Sequence, residues 1–266
     1  MSAARIIDVP PDDYHKLPGL SSSIATTLIQ RSPMHAHVEK EPTKEMDRGA
    51  AIHHLVLGAG KRMAPLPFDN WRTKAAQESR EKARAAGMVP LTHVEHTEYT
   101  TAAERISERL REAGIELSGR SEVAIEWYEG DVQCRCMMDH VDLERGEVTE
   151  LKVTGDANPE RMERHVETMG YRIQAAAYIR ALIALRPTLM GRVSYRFAFA
   201  EPDPPYALYA PYPDAMFLES GERDWLRAVE MWRSCMRNNR WPHYQHHQSI
   251  SRPQWALRRE GYTNDE

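Results

Sequence analysis

Cysteine is scarce: Cys134, Cys136 and Cys235 are the three thiols among 266 residues. Three thiols make no disulfide framework and cannot supply a four-cysteine zinc or iron–sulfur site, and they fit a reducing compartment. Long hydrophobic runs are missing as well. The longest candidate, 173–185, is interrupted by Arg180 and falls short of the ~20 apolar residues that cross a bilayer. The opening Met-Ser-Ala-Ala-Arg-Ile-Ile-Asp lacks the charged, apolar and cleavage-site regions of a signal peptide, so a cytoplasmic chain with no membrane partner is expected. Nor is there an excess of positive charge. Thirty-five Lys+Arg against 39 Asp+Glu leave −4, which argues against a protein that coats DNA passively. An enzyme acting on nucleic acid is not excluded, because it needs only a local basic groove around an acidic metal site. What is present, 41% hydrophobic and 28% charged residues, is too apolar for disorder, and the length makes one large domain or two small ones.

The apolar pattern changes period along the chain. Leu20-Ser21-Ser22-Ser23 is a helix N-cap signal followed by Ile24, Leu28 and Ile29 at helical spacing, and Ser32-Pro33 bends or restarts that helix. A second helix is predicted from about Met46 to Leu57, carrying Ala50, Ile52, His53 and Val56 and closed by Gly58. The stretch 61–90 is rich in Pro, Gly and charge and reads as a mobile or partner-facing excursion; there Arg72, Lys74, Arg80, Lys82 and Arg84 outnumber Glu78 and Glu81. A helix over about 95–113 follows, then strands over 122–128, 132–143 and 148–153. Asn158-Pro159 opens one long helix to about Leu185, with Met162, Val166, Met169, Ile173 and Ala177 as its buried stripe. Strands over 192–200 and 206–212 and a helix with Trp225, Val229, Trp232 and Met236 on its core face complete the order. The expectation is a single α/β domain over 1–266: an N-terminal helical part over 1–115 carrying His53, a sheet-and-helix part over 116–245, and a tail over 246–266.

Chemistry concentrates at Asp139 and Glu150-Leu151-Lys152. Strand alternation puts Glu150 and Lys152 on one face, and the turn at Arg145-Gly146 returns the chain beside Asp139. Two carboxylates and an ammonium then converge. Hydrolysis of a phosphodiester needs such a set: carboxylates hold a hard divalent cation, the cation polarises the phosphate and acidifies water, and a lysine orients that water or offsets developing charge. The fragment alone does not identify a site, because acid-x-Lys recurs by chance on solvated strands.

Further elements join it. His53 lies in Gly49-Ala50-Ala51-Ile52-His53, and Gly170-Tyr171-Arg172-Ile173-Gln174 leads to Tyr178, one turn beyond Gln174 on the same face. With the serine-rich helix start and Trp241-Pro242, these elements resemble, in order and spacing, the PD-(D/E)XK nuclease superfamily, most closely its phage and prophage exonuclease VIII-like branch, which is similar to RecB-type nuclease domains. The resemblance covers most of the chain. It implies a restriction-endonuclease-like core, a central mixed sheet flanked by helices, with N-terminal helical additions.

It also implies roles. His53, Asp139 and Glu150 match the family's metal ligands, with the Leu151 carbonyl as a backbone ligand and Glu122 as a candidate for a second ion. Lys152 matches the catalytic lysine, and Gln174 and Tyr178 match the motif that arranges the site and contacts DNA. Met138 stands where proline is usual and Glu150 where this branch has aspartate; the longer carboxylate can still ligate. The implied activity is a Mg²⁺-dependent exodeoxyribonuclease, with one or two ions and Mn²⁺ as a substitute, degrading linear duplex DNA from its ends, 5′→3′, in phage-type recombination. A homo-oligomeric ring and a single-strand annealing protein are the implied partners. Arg31, Arg72 and Lys74 are candidate DNA contacts.

Plainer readings stand beside these. His53 on an apolar face also suits a hydrogen-bonded core histidine, Tyr178 a packing residue, Glu122 and the Arg72–Arg84 cluster a solvated surface. His243, His246 and His247 lack ligand spacing and read as surface. The alternatives to the exonuclease are a single-strand or structure-specific nuclease of the same superfamily, a DNA-binding recombination subunit without activity, and a soluble protein in which Glu-x-Lys is coincidental. The iron–sulfur nucleases of CRISPR adaptation are disfavoured by the missing fourth cysteine.

Overall fold

The computed structural model describes residues 3–38, 44–244 and 249–259. β1 (Arg5–Ile7) and α1 (Pro11–Tyr14) lead to α2 (Ser22–Gln30), where the Ser21 hydroxyl accepts the Ile24 N–H at 3.3 Å. After a 3-10 turn come α3 (Lys44–Leu57), β2 (Met63–Leu66), α4 (Lys74–Ala85) and β3 (Val89–Thr92). Thr92 and Glu95 form a reciprocal capping box on α5 (His93–Glu112). The middle of the chain is β4 (Arg120–Glu129), β5 (Val132–Asp142) and β6 (Glu147–Val153), followed by α6 (Pro159–Thr168) and α7 (Tyr171–Leu185). β7 (Ser194–Ala200), β8 (Leu208–Tyr209), α8 (Ala215–Asn238) and α9 (Gln254–Arg259) close the order.

The main sheet runs β1-β4-β5-β6-β7-β8. Among the described residues of this sheet, only strands β6 and β7 pair in parallel, and α6 with α7 makes the crossover that a parallel pair requires. Helices cover both faces, as expected for this fold class. On one face α2, α7 and α8 bury Trp127, Phe197, Phe199 and Trp225; on the other α3, α5 and the small β2–β3 sheet bury Ile52, Leu91, Ile106, Leu151 and Ala198.

Several expectations need correction. The 61–90 stretch is an ordered β-α-β unit whose strands pair in parallel, with Ala76, Ala83, Val89 and Leu91 buried; its apolar residues are few and hidden among charges. Arg84 ties it to α3 through an ion pair with Asp47 at 2.6 Å. The single helix over 159–185 is two. Gly170 takes φ +68, and a Cβ there would stand 2.5 Å from Thr26 Cγ2, so the chain turns where only glycine fits and Met169 is left exposed. α8 exposes Met236, expected on its core face, whereas Trp225 is fully buried. β8 is shorter than 206–212, with Tyr206 at φ +58 before it. Parts of the tail, including His246 and His247, lie outside the described residues.

Candidate active site

The site forms where the sheet splits. β5 and β6 pair at Asp142↔Glu147, Val141↔Val148 and His140↔Thr149, and the ladder then stops. One residue on, the Asp139 N–H donates to the Glu150 carboxylate at 3.0 Å. Farther along the same edge of β5, Leu20 takes the pairing position beside Cys134. The gap between these two partners opens the sheet at Asp139.

β4 is distorted at the same level. Its pairs Ser121↔His140 and Val123↔Met138 flank Glu122 and Asp139 and set them opposite each other, but these two make no regular pair. Glu122 has φ +52, a left-handed conformation that costs a non-glycine residue energy. Met138 and Val141 both reach the same core although they are three residues apart, so the two-residue alternation slips between them. Like charges directly opposite on a sheet repel. Strain and repulsion thus coincide at Glu122 and Asp139.

A histidine is set over them. α3 packs on β6 and brings His53 Nε2 to 2.6 Å from the Leu151 carbonyl oxygen and 3.4 Å from Asp139 Oδ2, with Nδ1 3.9 Å from Glu122 Oε1. The turn after α3 closes from the same side: Gly60 takes φ +99, and a Cβ there would lie 3.2 Å from Glu122 Oε1. One ligand atom from each of His53, Glu122 and Asp139 falls within a 4.8 Å span. Asp139 Oδ2 is buried without a hydrogen-bond partner. An imidazole and two carboxylates, one of them with an orphaned buried oxygen, suit a divalent cation with oxygen and nitrogen ligands.

Glu150 is placed differently from those three. It is fully buried; Oε1 accepts from the Asp139 amide, and Oε2 accepts from Lys152 Nζ at 3.1 Å and Gln174 Nε2 at 2.9 Å. Lys152 Nζ also stands 3.9 Å from Asp139 Oδ2 and 5.3 Å from the Tyr171 ring centroid. Burial and the Asp139 charge push the Glu150 carboxyl above its ordinary range. Burial alone would lower Lys152, but Glu150 and Asp139 hold its ammonium above its usual value. Tyr178 is buried edge-on to Tyr195 at 6.4 Å, outside the hydrogen bonds of this cluster, and burial and the nearby Glu150 raise its pKa.

The candidate DNA contacts are not in the cluster. Arg31 is exposed at the end of α2, Arg72 is exposed before α4, and Lys74 is exposed beside Glu78 at 3.8 Å. Tyr171 carries no role in the sequence reading, although it stands inside the Gly-Tyr-x-x-Gln motif.

His53 gives a pH dependence that can be measured with chelator present. Burial opposes its charge, but Asp139, Glu122 and the Leu151 carbonyl raise its pKa to about 9, above ~6.5 in an unfolded chain. A raised histidine stabilises fully below pH ~6.5 and loses that contribution as pH climbs through about 9. The native Tm should therefore fall over this window more steeply than that of His53→Ala, by an amount equivalent to about 3 kcal/mol, the fall from the raised Glu150 carboxyl being shared by both proteins. An equal fall in both proteins would contradict the assignment.

The chain shares its fold with a crystal structure of a candidate exonuclease from Eubacterium rectale, at TM-score 0.61 and 12% identity, over 95% of this chain and 98% of that one. A phage-related exonuclease from Haemophilus somnus 129PT is similar at TM-score 0.36 and 8% identity, over 85% of this chain and all of that one. No curated protein matches the sequence. Residues 34–252 match the family described as the PDDEXK-like domain of unknown function, DUF3799. Matched over most of its length, the chain belongs to this PDDEXK-like family.

Proposed function

We propose that the protein is a metal-dependent deoxyribonuclease that degrades linear duplex DNA from its ends. The observation that carries the reading is the opposition of Glu122 and Asp139 across β4 and β5, with His53 above them and Lys152 beside them. This arrangement costs the fold strain and repulsion that a bound cation would offset. His53, Glu122, Asp139 and the Leu151 carbonyl would hold the ion, and Glu150 would join them by giving up one of its present donors. A divalent cation supplies Lewis-acid polarisation of a phosphate oxygen and makes water acidic enough to attack. The protein's own groups do the rest. Lys152 orients the attacking water and offsets charge that builds on the phosphate, and Gln174 fixes the Glu150 carboxylate beside it.

The oxygen-rich donor set suits Mg²⁺, and the imidazole within it suits Mn²⁺ as a substitute. The end-directed action is supported by the description of the Eubacterium rectale protein as a candidate exonuclease. The 5′→3′ polarity, a cytoplasmic setting, a homo-oligomeric ring, an annealing partner and DNA contacts at Arg31, Arg72 and Lys74 rest on the family resemblance and the residue types alone. With Mg²⁺, linear duplex should be degraded while a covalently closed circle of the same sequence survives. Cutting of the circle at a comparable rate would replace the exonuclease with an endonuclease.

A further inference from the structure

Lys152 has a neighbour that its carboxylate partners do not account for. Its ammonium lies 5.3 Å from the centroid of Tyr171, within the range in which a ring face attracts a cation. Tyr171 is itself held firmly. Its ring stacks on Phe197 at 5.6 Å and Phe199 at 6.3 Å and meets His165 edge-on at 5.8 Å. Phe199 is the register partner of Lys152 in the parallel β6–β7 pair, so the ladder sets this aromatic floor beside the lysine stem. Gly170 fixes where α7 begins, through its left-handed φ and its contact with Thr26. The first turn of α7 thereby grips both members of the buried pair: the Tyr171 ring meets the ammonium, and the Gln174 amide meets the carboxylate.

We propose that Tyr171 is a positioning residue for Lys152, its ring face setting where the ammonium stands relative to Asp139 and Glu150. An aromatic ring suits this task better than a polar side chain. An ammonium has three N–H donors, and Glu150 takes one of them. A hydrogen-bonding residue at 171 would consume another, whereas a ring face attracts the charge and leaves the other donors for water and phosphate. The lysine stem is long and flexible, so ordering it beforehand removes an entropic cost from the reaction. The kinetic consequence rests on the nuclease reading above, but the placement itself does not.

The test compares Tyr171→Phe, which keeps the ring, with Tyr171→Leu, which removes it. In Mg²⁺-dependent degradation of linear duplex, Tyr171→Leu should lower kcat about 3- to 30-fold with KM nearly unchanged, and Tyr171→Phe should recover most of the loss. In a Lys152→Ala background, Tyr171→Leu should cost nothing further. Equal losses in Phe and Leu, or a loss that adds to that of Lys152→Ala, would assign Tyr171 to packing alone. A second readout needs neither metal nor DNA. The Lys152 ε-methylene protons should be shifted upfield by the ring in the native and Tyr171→Phe proteins, and most of that shift should be lost in Tyr171→Leu. If the native chain cleaves no DNA, the nuclease reading falls and this shift alone decides the placement; the same shift in all three proteins would overturn it. Tyr171→Met, which keeps bulk without a ring, serves if the leucine variant does not fold.

Discussion

Asp139→Asn should lose its metal without losing its fold. A ligand present at 100 times its Kd stabilises a native chain by about 2.7 kcal/mol, which is roughly 5–10 °C in Tm for a chain of this length. Mg²⁺ or Mn²⁺ should raise the native Tm on that scale, and the rise should vanish in Asp139→Asn. The reason is the position of Asp139, opposite Glu122, 3.4 Å from His53 and hydrogen-bonded through its amide to Glu150. With chelator present the difference shrinks. Asparagine has nearly the same shape; it removes one of the crowded negative charges but also the charge that attracts His53 and Lys152, so the two effects oppose and the chelated variant should melt close to the native chain. Thermal melts with and without metal check both halves. A metal-induced rise of native size in Asp139→Asn would remove Asp139 from the cation site.

Lys152→Ala should separate the same two properties in the other direction. It removes no expected ligand, so the metal-induced rise in Tm should persist. Cleavage should fall about 10²–10³-fold, the usual loss when a charge-stabilising donor is removed from a transition state. Without metal, the variant leaves Glu150 buried with only the Asp139 amide and Gln174 as donors, so its carboxyl should hold a proton more tightly. Single-turnover cleavage measured beside thermal melts makes the comparison. A variant that keeps cleavage within tenfold of native would exclude Lys152 from the chemistry.

The sheet was legible because alternation is a strong local signal. β4, β5 and β6 appear at their expected places, and caps such as Ser21 and Asn158 mark the helix starts. The break at Gly170 was not, since an apolar stripe continues on both sides of it and its cause, contact with Thr26, lies far away in sequence. β2 and β3 are four residues each and sit among charges, which hides them from any periodicity. At the site, Asp139, Glu150 and Lys152 could be grouped from strand period and turn position, while His53 and Gln174 required the family pattern. The left-handed turn at Glu122 has no local sign, because glutamate does not favour that conformation. Tyr171 was hidden for a similar reason: its importance arises only where β6, β7 and the start of α7 meet.

Whether this cluster makes the chain a metal-dependent nuclease is tested most directly by a time course on linear duplex DNA labelled at one end, with Mg²⁺ or with chelator, comparing the native chain and Lys152→Ala. Progressive loss from an end is expected with the native chain and Mg²⁺, none with chelator, and little with the variant. Intact linear duplex, single-stranded and flapped DNA after incubation with either Mg²⁺ or Mn²⁺ would contradict the nuclease reading.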